Sequence, residues 1–296
     1  MSSNLSTNVA SNATDGSLNL VTYAMERDIA KKVMCIEDTL KLASAAKIKF
    51  VDVMNVSRAH ELEEYISAIK STGVGVYCYT AEISFLGNID RLLNTLKMQL
   101  RIAAVLGAKL FLITPYSGAA DERKAKSIGK EQVLQVMAQY FKIAVKEAAK
   151  YGLRVCFETA DKDAFGLCSS ADCKQVLDQT PGLGLVFNTA NSVACGEDPK
   201  DAHDALKNYI VHVHLKDIKL AESDQKSPTQ PLAPDGRVMQ DAVIGSGIIP
   251  VREIYDSMIK AGYPGRFGIC YSHAEGKPYT LTQNSANLLQ YLRWLK

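Results

Sequence analysis

KEQVLQVMAQYFKIAVKEAAKYGLRVCFE, residues 130–158, carries the pattern on which the fold turns. Up to about Lys150 it sets Val133, Val136, Met137, Tyr140, Phe141, Ala144, Val145 and Ala148 on one side of a helix. A short turn follows, and the apolar run Arg154–Glu158 then reads as a strand. The same unit recurs in both directions. Strands are predicted at Leu18–Ala24, Phe50–Met54, Val74–Thr80, Lys109–Thr114, Leu183–Asn188, Tyr209–Lys216 and Phe267–Tyr271. Helices are predicted at 37–46, 57–72, 89–106, 171–178, 199–207, 251–261 and 285–296. Short apolar strands alternating with amphipathic helices imply a parallel sheet covered by helices. Eight such units are what closure of a (β/α)8 TIM barrel requires, and no G-x-G-x-x-G follows the first strand to favour an open doubly wound sheet. The chain is therefore read as a single-domain α/β barrel over residues 18–296. A Ser/Asn/Thr-rich leader at 1–17 is expected to be disordered. A long loop at 218–247, after the seventh strand, falls on the functional face.

Composition narrows the function classes. Of 296 residues 47% are hydrophobic and 22% charged, enough apolar material for a large core. Basic and acidic residues number 34 and 32, a formal net charge of +2, which implies no nucleic-acid partner. No apolar run approaches the roughly 18 residues that cross a bilayer, so no membrane association is expected. Seven cysteines without C-x-x-C spacing read as free thiols in a reducing compartment, with the cytoplasm as the expected location.

Polar groups at the C-terminal ends of barrel strands converge on one pocket. Glu158 ends the fifth strand, where a carboxylate needs a metal, a cation or hydrogen-bond donors. In Val211-His212-Val213-His214-Leu215-Lys216-Asp217, strand alternation puts His212 and His214 on one face. Asp217 is expected to orient an imidazole. Asn188 and Asn191 end the sixth strand and suit sugar hydroxyls. Lys216 and Arg237 are candidates for holding a substrate phosphate or hydroxyl. Tyr77, Tyr79 and Tyr116 are candidates for an aromatic wall, with Tyr77 and Tyr79 sharing a face. Asp52 within the second strand, Glu82 just after the third, and His273 and Glu275 just after the eighth are further candidates.

Together, Glu158, the run Gly184–Asn191, His212–Asp217, Gly245-Ser246-Gly247 and Ala261–Gly265 resemble the xylose-isomerase-like sugar phosphate isomerase/epimerase superfamily. That superfamily includes ketose epimerases, inosose dehydratases and endonuclease IV, and the resemblance spans Leu18 to Lys296. It implies one divalent metal (Mn, Mg, Co or Zn) held by Glu, Asp, His and Glu. Glu158 matches the first Glu and His214 the His. Asn188 stands where the Asp is expected, and counting from Gly265 puts Cys270 where the second Glu is expected, with Tyr271 and Ser272 beside it. A slipped register of the last strand would bring His273 or Glu275 into the pocket in place of Cys270. With two carboxylates replaced at Glu158, Asn188, His214 and Cys270, metal binding is expected to be weak or absent. A homo-oligomer is implied by the same resemblance.

The leading expectation is a sugar or polyol isomerase/epimerase acting by proton abstraction next to a carbonyl. Glu158 and His214 would be catalytic, and Asn188, Asn191, His212, Lys216 and Tyr79 would bind substrate. A β-eliminating lyase, a dehydratase or a C-glycoside-cleaving enzyme, begins with the same step. A non-catalytic sugar-binding barrel or inactive partner subunit is the alternative that positions 188 and 270 motivate. A DNA-repair endonuclease needs more metal ligands than five histidines supply.

Overall fold

A computed structural model describes residues 18–23, 25, 29, 34–115, 119–161, 167–222, 231–270, 288, 291, 292, 294 and 295. The leader at 1–17, Tyr116, Tyr271, Ser272, His273 and Glu275 lie outside the described residues.

Eight parallel strands close into a barrel in the order β1-β10-β7-β6-β5-β4-β3-β2. They are β1 (Leu18–Val21), β2 (Phe50–Met54), β3 (Gly75–Ile83), β4 (Leu110–Pro115), β5 (Arg154–Glu158), β6 (Gly184–Asn188), β7 (Ile210–Leu215) and β10 (Arg266–Ile269). The helices α1 (Ile36–Ala45), α2 (Ala59–Thr72), α3 (Ile89–Val105), α4 (Ala119–Ile128), α5 (Lys130–Ala149), α6 (Ser170–Gln179), α7 (Pro199–Leu206) and α8 (Val251–Lys260) lie between them in sequence. This is the single-domain (β/α)8 TIM barrel. Among the described residues no helix is long and apolar enough to cross a membrane.

Local chemistry fixes where the helices begin and end. Asn88 caps α3 by accepting from the backbone N–H groups of Asp90 and Arg91, and Asp198 caps α7 with Pro199 in its first turn. Gly73, left-handed at φ 70°, ends α2 where a side chain would be strained. The stripe predicted on α5 is buried as Val133, Met137, Tyr140, Phe141, Ala144 and Ala148.

Strand alternation divides the core. Phe111, Ile113, Phe157 and Phe187 pack in the large apolar cluster with the helices, while Cys78, Leu110, Leu112, Cys156 and Val186 form a separate small cluster drawn only from strands. The remaining barrel interior is polar: Asn19, Asp52, His212 and His214 are all buried. Gly268 makes this possible. A Cβ there would stand 2.7 Å from Asp52 Oδ2 and 2.9 Å from His214 Cδ2.

Two elements differ from expectation. α4, of sequence Ala-Ala-Asp-Glu-Arg-Lys-Ala-Lys-Ser-Ile, has too few apolar residues to show a stripe. The loop expected at 218–247 contains an antiparallel pair, β8 (Asp217–Ala221) with β9 (Val238–Ala242), in which Ile218 faces Asp241 and Leu220 faces Met239.

Candidate functional site

Glu158, Asn188 and His214 come from the ends of three adjacent strands, β5, β6 and β7. Alternation turns each inward while Phe157, Phe187 and Val213 face the helices. The Glu158 carboxylate, 18% exposed, accepts through one oxygen, Oε1, from His214 Nδ1 at 2.8 Å and from Asn188 Nδ2 at 2.7 Å. The orientation of the Asn188 amide is set from its other side, because Oδ1 accepts the Ala190 backbone N–H at 3.1 Å. Asn188 therefore presents two N–H bonds, not a lone pair, toward Glu158.

Behind this triad lies a second acid–imidazole pair. Asp52 Oδ2 bonds His212 Nε2 at 2.7 Å and stands 3.7 Å from His214 Nε2; its Oδ1 accepts from Asn19 Nδ2 at 2.8 Å. Asn19 in turn accepts from Arg266 Nε, and Arg266 lies over the rings of Phe50 and Tyr77. Asp52, His212 and His214 bring three ligand atoms within 4.8 Å of one another, all buried. Imidazoles and carboxylates thus alternate from the barrel floor to its mouth.

Burial raises the Asp52 carboxyl, but His212 and His214 outweigh it and hold the group well below the usual carboxylate range. Glu158 follows the same pattern: burial opposes ionisation, and His214 with the Asn188 N–H brings the net shift down. Burial works against protonating His214, yet Glu158, Cys270 and Asp52 raise it well above the ordinary imidazole range. These shifts have opposite consequences for stability. The His214 contribution is complete below the ordinary imidazole range and is lost as pH rises through its raised value. The Asp52 and Glu158 contributions are complete above the ordinary carboxylate range and are lost as pH falls toward their lowered values. A melting-temperature profile from about pH 2 to about pH 9 should therefore fall at both ends, with an alkaline limb above about pH 6.5 from His214 and an acid limb below about pH 4 from the carboxylates, and Asp52→Asn should shrink the acid limb. An acid limb of unchanged size in the variant would contradict the assignment.

Around the triad stand groups that the sequence marked and one that it did not. Lys216 is 13% exposed, with Nζ 3.3 Å from Asp241 Oδ1 of β9. Its backbone is clamped by Thr189 Oγ1, which accepts from Lys216 N and donates to Lys216 O. Cys270, at the end of β10, is 5% exposed; burial pushes its thiol up to about 11, although His214 works the other way. The Tyr23 hydroxyl lies close enough to the Cys270 thiol for each to shift the other's titration. Tyr23 was missed because it follows the first strand with no motif around it.

Several candidates sit elsewhere. Asp217 does not orient an imidazole. It accepts from the backbone N–H groups of Ile218, Gly245, Gly247 and Ile249, tying the return of the hairpin to the top of β7. Gly247 is needed there, since a Cβ would meet the Asp217 carboxylate. Asp217→Ala leaves these four donors without their acceptor and should lower unfolding free energy by at least about 2 kcal/mol in urea denaturation. A loss under about 0.5 kcal/mol would contradict this role. His212 is fully buried below the mouth. Tyr79 is fully buried in the outer layer, bonded to Gln99 of α3 and to the Val56 N–H, so it cannot touch a ligand at the mouth. Nor does it share a face with Tyr77: the β2–β3 register shifts between Val51 and Asp52, and Tyr77 packs on His212 inside the barrel. Asn191, 6% exposed, donates Nδ2–H to Thr159 O and braces the loop after β5. Arg237 pairs with Asp235 on an exposed part of the excursion, and Glu82 is exposed.

The resemblance implies a divalent cation on Glu158, Asn188, His214 and Cys270, and the donor chemistry does not fit one. Hard cations need converging oxygen lone pairs. Asn188 points its amine inward, His214 Nδ1 lies against the Glu158 oxygen, and Cys270 offers a sulfur where a carboxylate oxygen is expected.

A sequence model of the xylose isomerase-like TIM barrel family matches residues 40–296. An inosose dehydratase of Lacticaseibacillus casei is 28% identical over 104 residues, covering 34% of this chain and 35% of the relative, so the match spans about a third of that protein. The solved structure of the IOLI protein with a bound zinc atom superposes with a TM-score of 0.71 at 14% identity, covering 94% of this chain and 97% of that one. The 3-keto-D-glucoside 4-epimerase YcjR of E. coli, in its apo form, gives 0.62 at 13% identity over 94% and 98%. With the family model covering most of the barrel, the chain belongs to the xylose isomerase-like TIM barrel family.

Proposed function

We propose that this chain converts a small sugar or polyol by removing a proton from the carbon next to a carbonyl, with Glu158 as the base. The observation that carries the proposal is the Glu158 carboxylate at the barrel mouth, partly exposed and held ionised by His214 and Asn188. An ionised carboxylate at neutral pH accepts a proton and does not supply one. In the first step the C–H electrons form the carbon–carbon double bond and the carbonyl π electrons move to oxygen. Lys216 carries the charge that attracts this oxygen, and the Asn188 amide holds the base in place.

Returning the proton gives an isomerase or epimerase; expelling a hydroxyl from the neighbouring carbon gives a β-eliminating lyase. The lyase reading is favoured by one feature. Two-base epimerisation needs a carboxylate on each face of the substrate, and at Cys270 a thiol stands where the second would be. Elimination needs one base: the proton taken by Glu158 passes to the departing hydroxyl, the C–O electrons leave with it, and the group departs as water. The similarity to an inosose dehydratase supports the same choice. The test is proton NMR in deuterium oxide with a panel of inososes and keto-sugars. Deuterium at the carbon next to the carbonyl, or an unsaturated ketone with loss of water, is the expected result. Binding without either would instead make the barrel a non-catalytic sugar binder.

A further inference from the structure

We infer that the Glu158–Asn188–His214–Cys270 position takes no divalent cation in this chain, and that two substitutions, Asn188→Asp and Cys270→Glu, suffice to create a cation site there. The inference concerns occupancy alone and does not rest on the reaction proposed above.

The geometry points to a conversion of the site and not to a loosened one. A cation bound between His214 Nδ1 and Glu158 Oε1 must displace the bonds this oxygen receives from His214 Nδ1 at 2.8 Å and Asn188 Nδ2 at 2.7 Å. Turning the Asn188 amide over would bring its carbonyl inward. It would also set the amine against the Ala190 N–H, donor against donor, in a fully buried place. An aspartate has no such conflict. One oxygen would keep the Ala190 N–H and the other would turn a lone pair toward Glu158, so this backbone contact suits either residue and only the inward atom changes character. After β10 the Cys270 side chain is buried and shorter than a glutamate. The Cys270 backbone N–H bonds Leu215 O at 3.0 Å, so the register that would carry a longer carboxylate to His214 is already set. The two replacements also withdraw two formal negative charges from one end of the barrel, where Lys216 adds a positive one.

The experiment uses the full chain purified without chelator. Metal content is measured by mass spectrometry, and MnCl2 and MgCl2 are titrated calorimetrically into wild type, Asn188→Asp and Asn188→Asp/Cys270→Glu. The wild type should carry less than about 0.1 equivalent of Mn, Mg, Co or Zn and give no binding heat. Its melting temperature should not respond to added Mn. The double variant should bind one equivalent of Mn at least about 100-fold more tightly than wild type, with a raised melting temperature in its presence. One equivalent of any of these metals in wild type, lost on Glu158→Gln, would overturn the inference. So would a double variant with native circular dichroism that gains no Mn binding. Because the wild-type arm needs no variant to fold, poor folding of the double variant leaves the first half of the inference fully tested.

Discussion

Glu158→Gln lowers the rate of proton removal by about 10²- to 10⁴-fold, the usual contribution of a positioned base, and leaves the barrel folded. The substitution is nearly isosteric, and the glutamine carbonyl can still accept from His214 Nδ1 or Asn188 Nδ2. What disappears is the negative charge and with it any appreciable basicity. Loss of deuterium incorporation with unchanged far-ultraviolet circular dichroism and intact sugar binding is the expected combination. A variant that retains exchange within about threefold of wild type would remove Glu158 from the base role.

Asp52→Ala has the largest expected effect on stability, a loss of about 3–5 kcal/mol, because it breaks a buried acid–imidazole pair from one side. Asp52 is 2% exposed and answers three groups: Asn19 Nδ2, His212 Nε2 and, at 3.7 Å, His214 Nε2. Without it, His212 and Asn19 keep buried donors that water cannot reach. Asp52→Asn preserves volume and one acceptor, so its loss should fall between wild type and alanine. Urea denaturation of the three proteins measures the series. An alanine variant within about 1 kcal/mol of wild type would show that the interior pair contributes little.

The fold was legible because both kinds of periodicity survive in the sequence. The α5 stripe and the strand at Arg154–Glu158 need no tertiary information to be seen. The placement of His212 and His214 on one face followed from strand alternation alone, and both rings point into the barrel. Alternation misled at Tyr77 and Tyr79, where the β2–β3 register shift breaks the period of two. Proximity in sequence misled at Asp217, which lies next to the histidine run yet serves backbone donors about thirty residues ahead. The carboxylate that faces both histidines is Asp52, 160 residues from His212, and such a pairing leaves no local mark. The sense in which Asn188 replaces an aspartate was equally hidden. Its composition shows a lost charge, but only the Ala190 contact shows which end of the amide faces Glu158.

The central claim is that Glu158, backed by His214, removes a proton next to a carbonyl without a divalent cation. Its most direct test is the rate of deuterium incorporation into an inosose or keto-sugar turned over by the protein. The rate is measured after passage over a chelating resin and again with Mn added. The same rate is expected in both samples, and a rate at least about 100-fold lower with Glu158→Gln. Exchange that appears only when Mn is present would contradict the claim.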